Sequence, residues 1–168
     1  MVDTKKLEEL ASRLNKASDE VNATLQKVQA KLNGMNIGIE TWMLGVPLFS
    51  QDMELALDDD GNFITPFPGA TTKADEVYLG YAKTSEGWGL AIQRKEVYYG
   101  TGTYININRG LEEVGSYNVG NPEPLLKASR DIRIEALGQL QRLIDLIVST
   151  AEAAIVDIEN ARKLADEL

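Results

Sequence analysis

The stretch Leu137–Leu168, LGQLQRLIDLIVSTAEAAIVDIENARKLADEL, decides how this chain folds. Leu137, Leu140, Ile144, Ile147, Ala151, Ala154, Ile158, Ala161, Ala165 and Leu168 recur through it at alternating steps of three and four. That spacing places apolar and small side chains in one stripe, the heptad seam that buries a helix against another helix. Leu143, Leu146, Val148, Ile155 and Val156 widen the stripe beyond what one helical neighbour covers. The segment predicts a long helix that meets a second helix and also a sheet or a second copy of the chain. Ser129 is a suitable cap and Asp131 suits its first turn, and from Ser129 to the end the helix spans about 58 Å if unbroken. Gly138, inside it, costs roughly 1 kcal/mol relative to alanine, and is expected to admit a close neighbour.

The matching element lies at the other end of the chain. Leu7, Leu10, Leu14, Ala17, Val21, Leu25, Val28 and Leu32 repeat at the same steps, with a Lys-, Glu- and Asn-rich face opposite. Asp3 or Thr4 caps this helix and Asn33-Gly34 stops it, because glycine accepts the left-handed conformation at a helix end. A helix over about 4–33 is predicted, roughly 45 Å long, with one buried face.

Between the helices the period falls from 3.6 to 2. Asn36–Leu44 alternates as a strand, and Glu54–Asp58 and Asn62–Thr65 flank Asp59-Asp60-Gly61 as a hairpin. Gly69–Lys73 reads as loop. Val77, Leu79 and Tyr81, then Trp88, Leu90 and Ile92, alternate on either side of Thr84-Ser85-Glu86-Gly87. Pairing Lys83 with Trp88 puts Tyr81 opposite Leu90 and Leu79 opposite Ile92, so every bulky residue shares a face. Gly80, Ala82, Gly89 and Ala91 take the reverse face. Thr103–Ile107 reads as a further strand, Asn108-Arg109-Gly110 as its turn, and 109–121 as loop. The expected fold is a single α+β domain over 1–168: two long helices packed together, most simply antiparallel, with an antiparallel β-meander over about 36–108 between them in sequence and a helical region over about 122–167.

Composition narrows the chemistry. The chain of 168 residues has neither cysteine nor histidine, which removes disulfides, thiolate chemistry, Cys/His zinc sites and histidine-dependent triads. No metal and no cofactor is expected. Asp58-Asp59-Asp60-Gly61 fails as a calcium loop, because aligning Asp60-Gly61 with the loop glycine puts Ala56 and Phe67 at the first and last ligand positions. Gly100-Thr101-Gly102 lacks the third glycine of a dinucleotide fingerprint and reads as a bulge or bend. The net charge is −9, of which −7 falls in residues 36–120 and −3 in 121–168, with +1 in 1–35. That balance predicts no nucleic-acid partner, and no apolar run is long enough for a membrane span, so a cytoplasmic location is expected.

Two sites remain. Leu140, Ile144, Ile147, Ile155 and Ile158 form an expected interaction face on the C-terminal helix, for a protein partner or for self-association. Extending the seam backwards reaches Arg130 and Arg133 near a helix N-terminus, where backbone amides favour anions. Their structural role would be pairing with Glu112 or Glu113; their functional one, binding a small anion. The expected function is a non-enzymatic interaction or scaffold protein that presents a helical surface and self-associates. The competing one is an anionic-ligand binder or enzyme with a pocket between sheet and helices near Arg130 and Arg133.

Overall fold

The computed structural model describes residues 4–100 and 111–167. In chain order these form α1 (Thr4–Gly34), β1 (Thr41–Trp42), β2 (Phe49–Met53), β3 (Ala70–Thr84), β4 (Gly87–Gly100), β5 (Glu112–Pro124), a 3-10 turn (Leu125–Lys127) and α2 (Arg130–Glu167). The fold is α+β, with a helix at each end and an antiparallel sheet between them; five strands lie among the described residues.

The sheet is built on the β3–β4 hairpin. Lys83 pairs with Trp88, Tyr81 with Leu90 and Leu79 with Ile92, the register required for all the bulky residues to share a face. Thr84 holds the turn: its hydroxyl donates to the Gly87 carbonyl at 3.1 Å and accepts from the Glu86 N–H at 3.1 Å. Both strands run further than the alternation predicts, and β3 begins at Ala70, inside the stretch read as loop. At the far end the register slips between Ala70 and Thr72. A Cβ on Gly100 would there stand 1.9 Å from the Gly69 carbonyl oxygen, so only glycine permits the approach.

The expected loop over 109–121 is corrected, because 112–124 is strand β5, hydrogen-bonded along β4 from Gly100 opposite Glu112 to Ala91 opposite Pro124. As an edge strand β5 is mostly exposed, so no apolar alternation announces it, and the β4 backbone sets it in place. β1 and β2 share the outer edge of β3. β1 keeps only Thr41–Trp42 of the strand predicted over Asn36–Leu44. The hairpin predicted over 54–65 shrinks to one bridge, Leu57 to Phe63. Its tip is organised by the Asp58 carboxylate, which accepts from the backbone N–H groups of Asn62 (2.8 Å) and Asp60 (3.0 Å). Those bonds, Asn62 first, hold the Asp58 pKa below the ordinary carboxylate value. The strand predicted at Thr103–Ile107 and the turn after it lie outside the described residues.

The core fills the space between the hairpin and the helices. Leu79, Tyr81, Leu90 and Ile92 meet Leu25 and Leu32 of α1, Leu125 of the 3-10 turn, and Ala136, Leu140, Leu143 and Ile147 of α2. Each such large side chain removed from water contributes roughly 1.5–3 kcal/mol. Tyr81 stacks on Trp88 at 5.6 Å and donates to the Asn33 side chain at 3.2 Å, tying the end of α1 to the hairpin.

α1 and α2 meet near the start of α2. Arg130 at the start of α2 donates to the Asn15 side chain in α1 at 3.0 Å. From that contact the buried positions of both helices, Ser18 to Leu32 and Ala136 to Ile147, lie on the C-terminal side. Gln29 then accepts the Leu90 N–H at 3.2 Å, while α2 passes over β3 and β1. Residues 4–17 of α1, before the buried Ser18, and residues 155–166 of α2, beyond the buried Ile147, are exposed and project from the core. Among the described residues no helix is long and apolar enough to cross a membrane.

Candidate functional site

The two projections expose apolar residues in helical register. Every residue from 4 to 17 of α1 is exposed, about 21 Å of helix. Its seam residues Leu7, Leu10 and Leu14 are each about half accessible, Leu10 at 49%. In α2 every residue from 155 to 166 is exposed, including Ile155, Val156, Leu164 and Ile158, the last at 68%. Both segments continue the seam that packs the core. Helices draw most of their stability from packing an amphipathic face, and along these two segments that face is bare.

This placement divides the expected interaction face. Leu140 and Ile147 are buried in the intramolecular core, and Ile144 packs against it. Ile155 and Ile158 alone of the five stand free of the core. The sequence pattern assigned all five to one stripe, and where the sheet ends along that stripe is not encoded in the spacing. The spacing likewise predicts burial for Leu7, Leu10 and Leu14, which are exposed.

Arg130 and Arg133 do not converge on a pocket. Arg130 is held by Asn15, and Arg133 Nη1 donates to the Leu126 carbonyl at 3.1 Å, closing the 3-10 turn onto α2. Glu112 and Glu113, their expected carboxylate partners, sit at the far end of β5, opposite Gly100 and Tyr99. A groove of about 510 Å³ does lie between the sheet and the start of α2, floored by Val77 and Ile92. It is lined by Asp131 and Ile132 rather than by the two arginines, and Asp75, Glu96 and Glu123 offset Arg94, Lys95 and Lys127 along its walls. Such mixed charge gives an anion no net attraction.

A polar cluster on β3 was not anticipated. The Glu76 carboxylate, only 5% exposed, accepts from the hydroxyls of Tyr78, Tyr99 (2.8 Å) and Ser50 (3.1 Å). Lys95, opposite Glu76 in the register, stands 5.7 Å above the Tyr78 ring. Burial, then the hydrogen bond to Glu76 and its charge, push the Tyr78 and Tyr99 hydroxyls far above the ordinary tyrosine value. Both carboxylate oxygens are thus occupied by protein donors, which makes the cluster a satisfied buried network that locks β2 to β3 and β4. It borders an open groove of about 870 Å³ that Asp52 and Glu54 also line. The two-residue spacing of Glu76 and Tyr78 puts them on one strand face and was legible in the sequence. The approach of Ser50 and Tyr99 depends on neighbouring strands. A second aromatic group, Phe67 with Tyr98 (5.1 Å) and Tyr117 (5.0 Å), covers Gly115 near the same end.

Among the described residues the projecting helix segments carry exposed apolar side chains in helical register, and the Glu76 carboxylate is satisfied within the fold. No family model, no curated protein and no solved structure matches the chain.

Proposed function

We propose that this protein is a non-enzymatic scaffold that self-associates through its projecting helix segments. The observation that carries this reading is the seam itself. The same three- and four-residue spacing that packs the core continues, exposed, over residues 4–17 and 155–166. Exposed single apolar residues are ordinary on any protein, whereas apolar residues in helical register along two bare half-helices are not.

Light scattering after gel filtration tests the reading. The expected result is a mass above the 18.5 kDa of one chain that rises with protein concentration. A single monomer peak up to high micromolar concentration sinks it.

A further inference from the structure

We propose that the assembly is head-to-tail: the projecting segment of α2 in one copy packs along the projecting segment of α1 in the next. This rests on the self-association reading and names which surface receives which.

Three observations point to it. The first is position. Both segments are exposed along their whole length, so within one copy they do not cover each other. Joining unlike segments then gives a heterologous contact that repeats into a chain or ring rather than a closed two-fold pair. The second is charge. Residues 4–17 carry four basic side chains (Lys5, Lys6, Arg13, Lys16) and two acidic ones (Glu8, Glu9). Residues 155–166 carry three acidic side chains (Asp157, Glu159, Asp166) and two basic ones (Arg162, Lys163). In a chain of net charge −9 the α1 segment is a local positive surface. Pairing α2 with α2 brings two net-negative segments together, and pairing α1 with α1 two net-positive ones. Only the mixed pair joins opposite signs, and complementary charge selects partner and register along a helical seam.

The third is spacing. The α1 segment presents Leu7, Leu10 and Leu14, and the α2 segment presents Ile155, Ile158 and Leu164 along with Ala161 and Ala165. Both stripes share the heptad spacing, so knobs on one meet holes on the other.

Complementation between two blocked variants tests the proposal. One carries Leu10→Asp and Leu14→Asp, which blocks the α1 segment; the other carries Ile155→Lys and Ile158→Lys, which blocks the α2 segment. All four positions are exposed, so each variant is expected to keep the wild-type melting temperature, measured on dilute protein. Wild-type protein is expected to run above monomer mass and each variant alone as a monomer. An equimolar mixture of the two is expected to give a complex of twice the monomer mass and nothing larger, because one intact α1 segment and one intact α2 segment remain. If the α1-blocked variant still dimerises alone, α2 pairs with α2; if the α2-blocked variant does, α1 pairs with α1. Either result overturns head-to-tail pairing and leaves self-association standing. A mixture that stays monomeric also overturns it. A monomeric wild type overturns both this inference and the function it rests on.

Discussion

Replacing Gly138 with alanine is expected to stabilise the protein. The glycine lies in α2 between the buried Ala136 and Leu140, on a stretch the core holds helical. It does not have a positive φ, and a Cβ built there meets no heavy atom within 4 Å. The expectation from sequence that this glycine admits a close neighbour is thus not met by the described residues. The methyl group adds no clash, and what changes is helix propensity and the freedom of the unfolded chain. Those terms favour alanine by about 1 kcal/mol, which for a chain of this length raises the melting temperature by about 2–4 °C. Gly80→Ala is the matched contrast. Its Cβ would stand 2.2 Å from Cε3 of Trp42, whose ring lies over Gly80 and whose indole N–H donates to Glu40. Displacing that ring is expected to cost about 1–3 kcal/mol. Both variants are to be melted by circular dichroism on dilute protein, so that self-association does not add to apparent stability. A Gly138→Ala variant that melts at or below wild type would show that this helix face is occupied, refuting the open-space argument. A Gly80→Ala variant as stable as wild type would do the same for the Trp42 contact.

Ile147, at 2% exposure, is surrounded by core, and Ile147→Asp is expected to cost several kcal/mol and to shift the urea midpoint sharply down; an unchanged midpoint would place the residue outside the core. Alkaline pH is expected to weaken the fold. Burial raises the hydroxyls of Tyr78, Tyr81 and Tyr99, and burial together with Glu96 pushes Tyr98 up to about 12. The folded state then holds protons that the unfolded chain releases from 10.0 upward. Stability is full below that value and is lost as pH rises through the folded values. A urea midpoint that stays level up to about 12 would contradict this. Raising the salt concentration is expected to lower the mass measured by light scattering, since opposite net charges on the two projecting segments favour their pairing; a mass that is unchanged or increases with salt would assign the contact to apolar burial alone.

Local periodicity carries a good deal of this architecture. A step of three and four over Leu137–Leu168 makes a helix wherever the segment is placed, and Leu7–Leu32 behaves likewise. The β3–β4 register was also legible, because a one-residue slip would turn Tyr81, Leu79, Leu90 and Ile92 away from the core. The carboxylate at the Asp58 tip belongs to the same class, as its partners are two and four residues away. β5 is different: Glu112–Pro124 has no apolar alternation and becomes a strand because the β4 edge offers it hydrogen bonds. Ser50 and Tyr99 reach Glu76 across two strand pairings, so no spacing along the chain predicts the cluster. The same holds for which part of each seam is covered. A seam specifies that a stripe seeks apolar cover, but the cover is finite, and its edge is set by the tertiary fold. Leu10 and Leu25 read alike along the helix, and only the second has the sheet beneath it.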